Sequence, residues 1–187
     1  MRIITGITEE CAPACAIALG TFDGVHLGHR AVIGEAVRLA AAEGLAPAVF
    51  TFSDLPKNAF LPEKKRIPPL CSLNEKASRF EELGVELMYS LPFGPELYTL
   101  SAEEFVRGVL IGRLNAKHVV CGQDHRFGAG GRGDASLLIN VCGECGCSVT
   151  VVPPVSLRGE RISSTRIRRL LELGYVSEAR ELLGHEI

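Results

Sequence analysis

The segment Gly20-Thr21-Phe22-Asp23-Gly24-Val25-His26-Leu27-Gly28-His29 carries two imidazoles three positions apart around a glycine. Upstream, Cys15 to Leu19 is a short apolar run of strand type; downstream, Ala31 to Ala42 sets Ile33, Ala36, Val37 and Ala40 at helical spacing. The implied order is strand, glycine-bearing turn, helix. His26 and His29 then head the stripe that packs on a sheet, over the carboxyl end of the strand. Gly28 removes a side chain from the first helical turn, so a ligand has room to approach N–H groups that lack a helical partner. Unpaired donors and the helix dipole select an anion, and a triphosphate fits. Polar cover for a helix end would explain either histidine alone, but less well the pair.

A second cluster is Arg161-Ile162-Ser163-Ser164-Thr165-Arg166-Ile167-Arg168-Arg169, opening a helix whose buried stripe is Ile167, Leu170 and Leu171. Exposed cations at a helix start oppose the macrodipole at about 0.3–1 kcal/mol each, and a bound phosphate reverses that sign. At 100° per residue, Ser164, Thr165 and Arg168 converge beside the stripe, whereas Arg166 and Arg169 point elsewhere. Serine and threonine are also ordinary N-caps; the combination with Arg161 and Arg168 is what points to phosphate.

The third element is Gly122-Gln123-Asp124-His125-Arg126-Phe127-Gly128-Ala129-Gly130-Gly131-Arg132-Gly133. Its glycines spell a dinucleotide fingerprint, but they lie too far past the preceding strand and no acid follows at the required distance. A mobile glycine-rich lid is expected instead. Asp124 is placed to accept from a hydroxyl-bearing ligand, or is a simple turn residue, and Phe127 offers a stacking face.

These clusters must be carried by alternating elements. Strand-like runs recur at Cys15 to Leu19, Ala46 to Phe52, Val85 to Leu91, His118 to Cys121 and Val149 to Val152. Helical patterns occupy His26 to Glu43, Asn74 to Leu83, Ala102 to Arg113 and Ala135 to Cys142, with a capping box at Ser101-x-x-Glu104 and closing glycines at Gly44 and Gly84. The expected fold class is α/β: a Rossmann-like, doubly wound, mainly five-stranded parallel sheet with helices on both faces and its ligand beyond the carboxyl ends of the strands. The Pro-rich stretch Leu61 to Pro69 reads as a long loop. With Lys57, Lys64, Lys65, Arg66 and the Phe60 ring, it covers a ligand or is simply solvated.

At 187 residues and 47% apolar content, the chain suits a single domain over 1–187. A net charge of −2 supplies no global field for nucleic acid, so any phosphate site is local. There is no bilayer-length apolar run and no signal-peptide plan at the start, and a cytoplasmic protein without membrane attachment is expected. Seven irregularly spaced cysteines are expected to be reduced. Cys142, Cys145 and Cys147 suit either a metal or a small-residue core, and no tightly bound protein metal is expected.

Together, GTFDGVHLGH, LSAEEFV (Leu100 to Val106), VVCGQDHRFG (Val119 to Gly128), ISSTRIR (Ile162 to Arg168) and the terminal ARELLG resemble, in order, the FMN adenylyltransferase domain of bacterial bifunctional riboflavin kinase/FAD synthetases. That family lies within the HxGH nucleotidyltransferase superfamily. The resemblance implies AMP transfer from ATP to FMN, giving FAD and pyrophosphate, with Mg²⁺ accompanying ATP. It implies that His26, His29 and Arg168 are catalytic. ATP is then bound by Gly20, Thr21, Phe22, Gly28, Asp124, Arg161, Ser164 and Thr165, and the flavin by Phe52, Phe60 and Phe127. Two departures stand out. Thr51-Phe52-Ser53-Asp54-Leu55-Pro56 has no histidine where the family carries a Pro-His-Pro turn, and His125 replaces an aromatic hydrocarbon. Another phosphorylated acceptor, or binding without turnover, is the alternative. Ending at Ile187, the chain is expected to lack the riboflavin kinase barrel and to rely on a separate riboflavin kinase for FMN.

Overall fold

The computed structural model describes residues 1–6 and 12–186. Strands β1 (Arg2–Ile4), β2 (Cys15–Leu19), β3 (Ala46–Phe52), β4 (Leu87–Leu91), β5 (Ala116–Gly122) and β6 (Ser148–Val152) form one sheet in the order β1-β4-β3-β2-β5-β6, with every neighbouring pair parallel. The five expected strands are present; β1 is the addition. Three residues are too few to show an alternating pattern, and β1 is fixed by its pairing with β4.

The inner strands β2, β3 and β4 are almost wholly apolar because both faces are covered. Ile17, Leu19, Ala48, Phe50, Leu87, Tyr89, Val119 and Cys121 point to one face, and Ala18, Val49, Met88 and Val120 to the other, as a period of two requires. The second face is closed by α1 (Leu27–Glu43) and α2 (Leu73–Glu82), through Ile33, Ala36 and Phe80. The first is closed by α3 (Pro95–Tyr98), by α4 (Ala102–Glu104) with its π-helical continuation Phe105–Arg113, and by α5 (Ala135–Glu144). The capping box at Ser101 and Glu104 forms as expected, and a second forms at Ser72 and Glu75. The pattern of Ala102 to Arg113 predicts an α-helix; from Phe105 the turns widen to π spacing, and Phe105, Val106, Val109 and Leu110 still enter the core. Cys142 and Cys147 are buried in that core, and Cys145 accepts from Arg107 at 3.3 Å.

A short hairpin, β7 (Ser156–Leu157) and β8 (Glu160–Arg161), leads into α6 (Ser164–Glu172) and α7 (Val176–Leu183). These pack through a third apolar cluster containing Ile162, Ile167, Ala179, Leu182 and Leu183. Strand order reverses between β2 and β5, so the loops leaving their carboxyl ends diverge and open a crevice. The histidine motif leaves β2, and the Asp124 segment leaves β5.

Candidate active site

The helix that carries the histidines begins one residue later than the periodicity suggests. His26 has extended backbone and is the N-cap of α1, its Nδ1 accepting the His29 N–H at 3.2 Å. The two rings stack with centroids 3.5 Å apart and planes 15° from parallel. Gly28 makes this possible, since a Cβ there would lie 3.2 Å from the His26 ring. Its lack of a side chain thus makes room for the stacked pair.

The turn before α1 is held in an unfavourable conformation. Phe22 and Val25 both adopt left-handed φ, 48° and 42°. Two distant side chains fix it: the Thr51 hydroxyl and the Lys76 ammonium both donate to the Thr21 carbonyl, at 2.9 and 3.0 Å. Lys76 is buried, and burial lowers its pKa. The Phe22 ring, which the resemblance puts at ATP, is 2% exposed and packs edge-on beneath His29 and Phe80. It supports the imidazole from below and does not line the cleft.

Burial pushes the His26 imidazole down to about 4. His29 is lowered well below the ordinary histidine range by burial first, then by the neighbouring His26 and Lys76. Both rings are therefore neutral at neutral pH, and His29 Nδ1 is buried without a hydrogen-bond partner among the described residues.

A cleft of about 990 Å³ opens at the reversal point. Its lining combines Gly20, Thr21, His29, Asp124, Ser164, Thr165 and Arg168 with the apolar and aromatic side chains of Phe52, Leu55, Ile67, Phe93, Leu97, Phe105 and Phe127. The histidine segment and the hydroxyl–guanidinium cluster thus meet across one cavity. His26 stands behind His29 and is not on the lining. On α6, Ser163 is the N-cap, and the Ser164 hydroxyl donates to the Asp23 carbonyl at 3.0 Å. Arg168 pairs with the Asp23 carboxylate, and its Nε is buried without an acceptor among the described residues.

Several expected positions are corrected. Arg169, expected to point away from the site, lines the cleft with Glu172, because four residues after Thr165 it projects within about 40° of that side chain on α6. Arg166 does face away, pairing with Glu160 at 2.8 Å. Arg161 is absent from the lining; it pairs with Asp124, joining the β7–β8 hairpin to the loop after β5. Phe60 is 66% exposed and lies outside the cleft, against Phe93 and Tyr98 at ring distances of 6.1 and 5.4 Å. Phe93 is the aromatic wall that the motifs did not reveal; it meets the Phe52 ring edge-on at 5.1 Å.

The glycine-rich segment is not a free lid. Phe127 and Gly133 exchange backbone hydrogen bonds of 3.2 and 2.9 Å, and Ala129 N–H donates to Leu100 at 2.7 Å. Gly128, at φ 72°, lies so close to Ala102 that a Cβ would come within 2.6 Å of its backbone nitrogen. The Pro-rich loop is likewise organised, by buried Asn58, whose Nδ2 donates to the Ile67 carbonyl at 3.0 Å and whose Oδ1 accepts the Ile67 N–H at 2.8 Å.

Residues 8–166 match the FAD synthetase family. The chain belongs to that family. It is 38% identical over 169 residues to the bifunctional riboflavin kinase/FMN adenylyltransferase of Listeria monocytogenes, covering 90% of this chain and 53% of the relative. To the protein of the same description from Bacillus subtilis it is 37% identical, covering 95% of this chain and 55% of the relative, and to that of Escherichia coli 33%, covering 99% and 60%. This FAD synthetase family chain therefore spans a little over half the length of these relatives. Among solved structures, a macrolide-efflux protein from Streptococcus pneumoniae superposes with TM-score 0.87 at 33% identity, covering 98% of this chain and 60% of that one. Pantothenate synthetase from Thermus thermophilus shares the fold, with TM-score 0.59 at 14% identity, covering 98% of this chain and 81% of the other. Among the described residues, no helix is long and apolar enough to cross a membrane.

Proposed function

We propose that this member of the FAD synthetase family transfers AMP from ATP to FMN, forming FAD and pyrophosphate. The observation that carries the reading is a single cleft whose lining combines a polar set, His29, Ser164, Thr165 and Arg168, with an aromatic set, Phe52, Phe93 and Phe127. A triphosphate suits the first and a planar ring system the second.

In the reaction an FMN phosphate oxygen forms a bond to the α-phosphorus of ATP while the bond from that phosphorus to the bridging oxygen breaks, and the electron pair leaves with pyrophosphate. No covalent enzyme intermediate is involved. Catalysis then consists of aligning two polyanions and stabilising charge as it develops on the phosphoryl oxygens. His29 serves as a neutral hydrogen-bonding group at that centre, oriented by the stacked His26. Thr165, Ser164 and Arg168 hold the β- and γ-phosphates from the facing wall. Thr21 and Asp124 contact the nucleotide, and Arg161 acts through Asp124. Magnesium arriving with ATP would neutralise phosphate charge, and Asp124 and Glu172 are the carboxylates on the cleft lining nearest in chemistry to its needs.

One feature favours a second acceptor. Leu55, on the cleft lining, stands where the resembling sequences carry a histidine, and it makes the acceptor end more apolar. Incubation with ATP, Mg²⁺ and either FMN or other phosphorylated acceptors separates the two. FAD and pyrophosphate in equal amounts are expected with FMN; pyrophosphate release that ignores FMN would assign a different acceptor.

A further inference from the structure

Asp23 lies within the histidine motif, yet nothing in the motif's spacing gives it a role, and its side chain is 4% exposed. A buried carboxylate is costly unless its oxygens are occupied. Both are. Oδ1 accepts the Leu70 N–H at 2.8 Å, and Oδ2 accepts Arg168 Nη2. The same Nη2 also donates to the Pro68 carbonyl at 3.0 Å, which uses both hydrogens of that nitrogen. Arg168 is thus held by one nitrogen, while its Nε hydrogen has no acceptor among the described residues. The Asp23 carbonyl meanwhile takes the Ser164 hydroxyl, so two phosphate-end side chains on α6 are fixed to one residue of the β2–α1 turn.

We infer that Asp23 is a positioning residue for ATP: it pins one end of the Arg168 guanidinium so that the remaining donors serve the triphosphate. It does so while anchoring the loop through Leu70. This rests on the adenylyl-transfer reading for the identity of the nucleotide. A purely structural ion pair would support folding and leave ATP affinity unchanged.

The test is calorimetric titration of MgATP, without FMN, into the wild type, Asp23→Asn, Arg168→Ala and the double variant, with thermal unfolding measured for each. Asparagine keeps an acceptor for Leu70 and removes the charge that holds Arg168. Asp23→Asn is expected to weaken ATP about ten- to hundredfold, the worth of one charge-assisted hydrogen bond. Arg168→Ala should weaken it similarly, and the double variant no further, because Asp23 acts through Arg168. If Asp23→Asn alone does not fold because its arginine is left buried and unpaired, Asp23→Glu, which keeps the charge and shifts it by one methylene, is titrated instead: weakened ATP in the folded variant supports the assignment, and unchanged ATP overturns it. Unchanged ATP affinity in folded Asp23→Asn, or a double variant weaker than Arg168→Ala, would overturn it. Absence of FAD formation would instead overturn the acceptor and leave these affinities standing.

Discussion

The imidazole of His26 stacks on that of His29 at 3.5 Å while its Nδ1 accepts the His29 backbone N–H. One residue thereby caps the helix and orients the ring that lines the cleft. With Nδ1 occupied as an acceptor, neutral His26 carries its proton on Nε2. In the proposed reaction the two histidines divide the work: His29, on the cleft lining, meets the ligand, and His26 sets where His29 stands.

Gly28→Ala should separate these roles. Its Cβ would press on the His26 ring at 3.2 Å, displacing the stack without removing either imidazole. Turnover is expected to fall at least about tenfold with little change in ATP affinity, since a misplaced ring chiefly loses transition-state contact. His26→Ala should in addition lose about 1 kcal/mol of stability with the N-cap. Steady-state kinetics and thermal unfolding of both variants check this; full turnover in Gly28→Ala would show that the stack is dispensable.

Stability should fall on mild acidification. His26 has its pKa lowered from 6.5 to about 4 by burial, so the unfolded chain takes up a proton more readily than the folded one. The contribution is complete above pH 6.5 and is lost as the pH falls towards 4. By roughly pH 5 about 2 kcal/mol is gone, given 1.36 kcal/mol per pKa unit. His125, also lowered to about 4 by burial, adds in the same direction. Denaturant unfolding across this range should show the slope in the wild type and a shallower one in His26→Gln; equal slopes would show that His26 is not buried in its neutral form.

Lys76→Met should raise the pKa of His29. The buried ammonium is one of the charges that hold His29 low, and it supports the strained turn through the Thr21 carbonyl. With Thr51 still bonded to that carbonyl, the variant is expected to fold. Titration of the histidine resonances by NMR reads the shift directly; an unmoved His29 would exclude Lys76 as an electrostatic neighbour.

The sheet and the phosphate end are legible in the sequence because each is written locally. Strand runs, helix stripes and cap residues act over a few positions, and the histidine and arginine clusters are contiguous in sequence. Asp23 and Lys76 are not legible. Their partners lie 145 and 55 positions away, and only the closure of α6 and α2 onto the β2–α1 turn brings them together. Arg169 follows from the same angular arithmetic once Thr165 is the reference, since four residues on it projects within about 40° of that side chain. Phe60 and Phe93 are both aromatic residues in loops near the acceptor end, and burial alone, decided by the folded loops, separates the wall from the rim.

Phe93→Ala should therefore weaken the acceptor far more than Phe60→Ala. The first removes a ring from the cleft lining; the second removes one that is 66% exposed outside it. A rise in the KM for FMN of about tenfold or more is expected for Phe93→Ala, from a lost aromatic contact of about 1.5 kcal/mol, and little change for Phe60→Ala. Equal effects would place the flavin ring across both.

The central claim is that the His29 wall and the Ser164–Thr165–Arg168 wall grip one triphosphate. A crystal structure with magnesium and a non-hydrolysable ATP analogue tests this most directly. The analogue's phosphates should lie between the two walls, with His29 near the α-phosphate and Thr165 and Arg168 on the β- and γ-phosphates. A triphosphate bound to one wall alone, or outside the cleft, would contradict it.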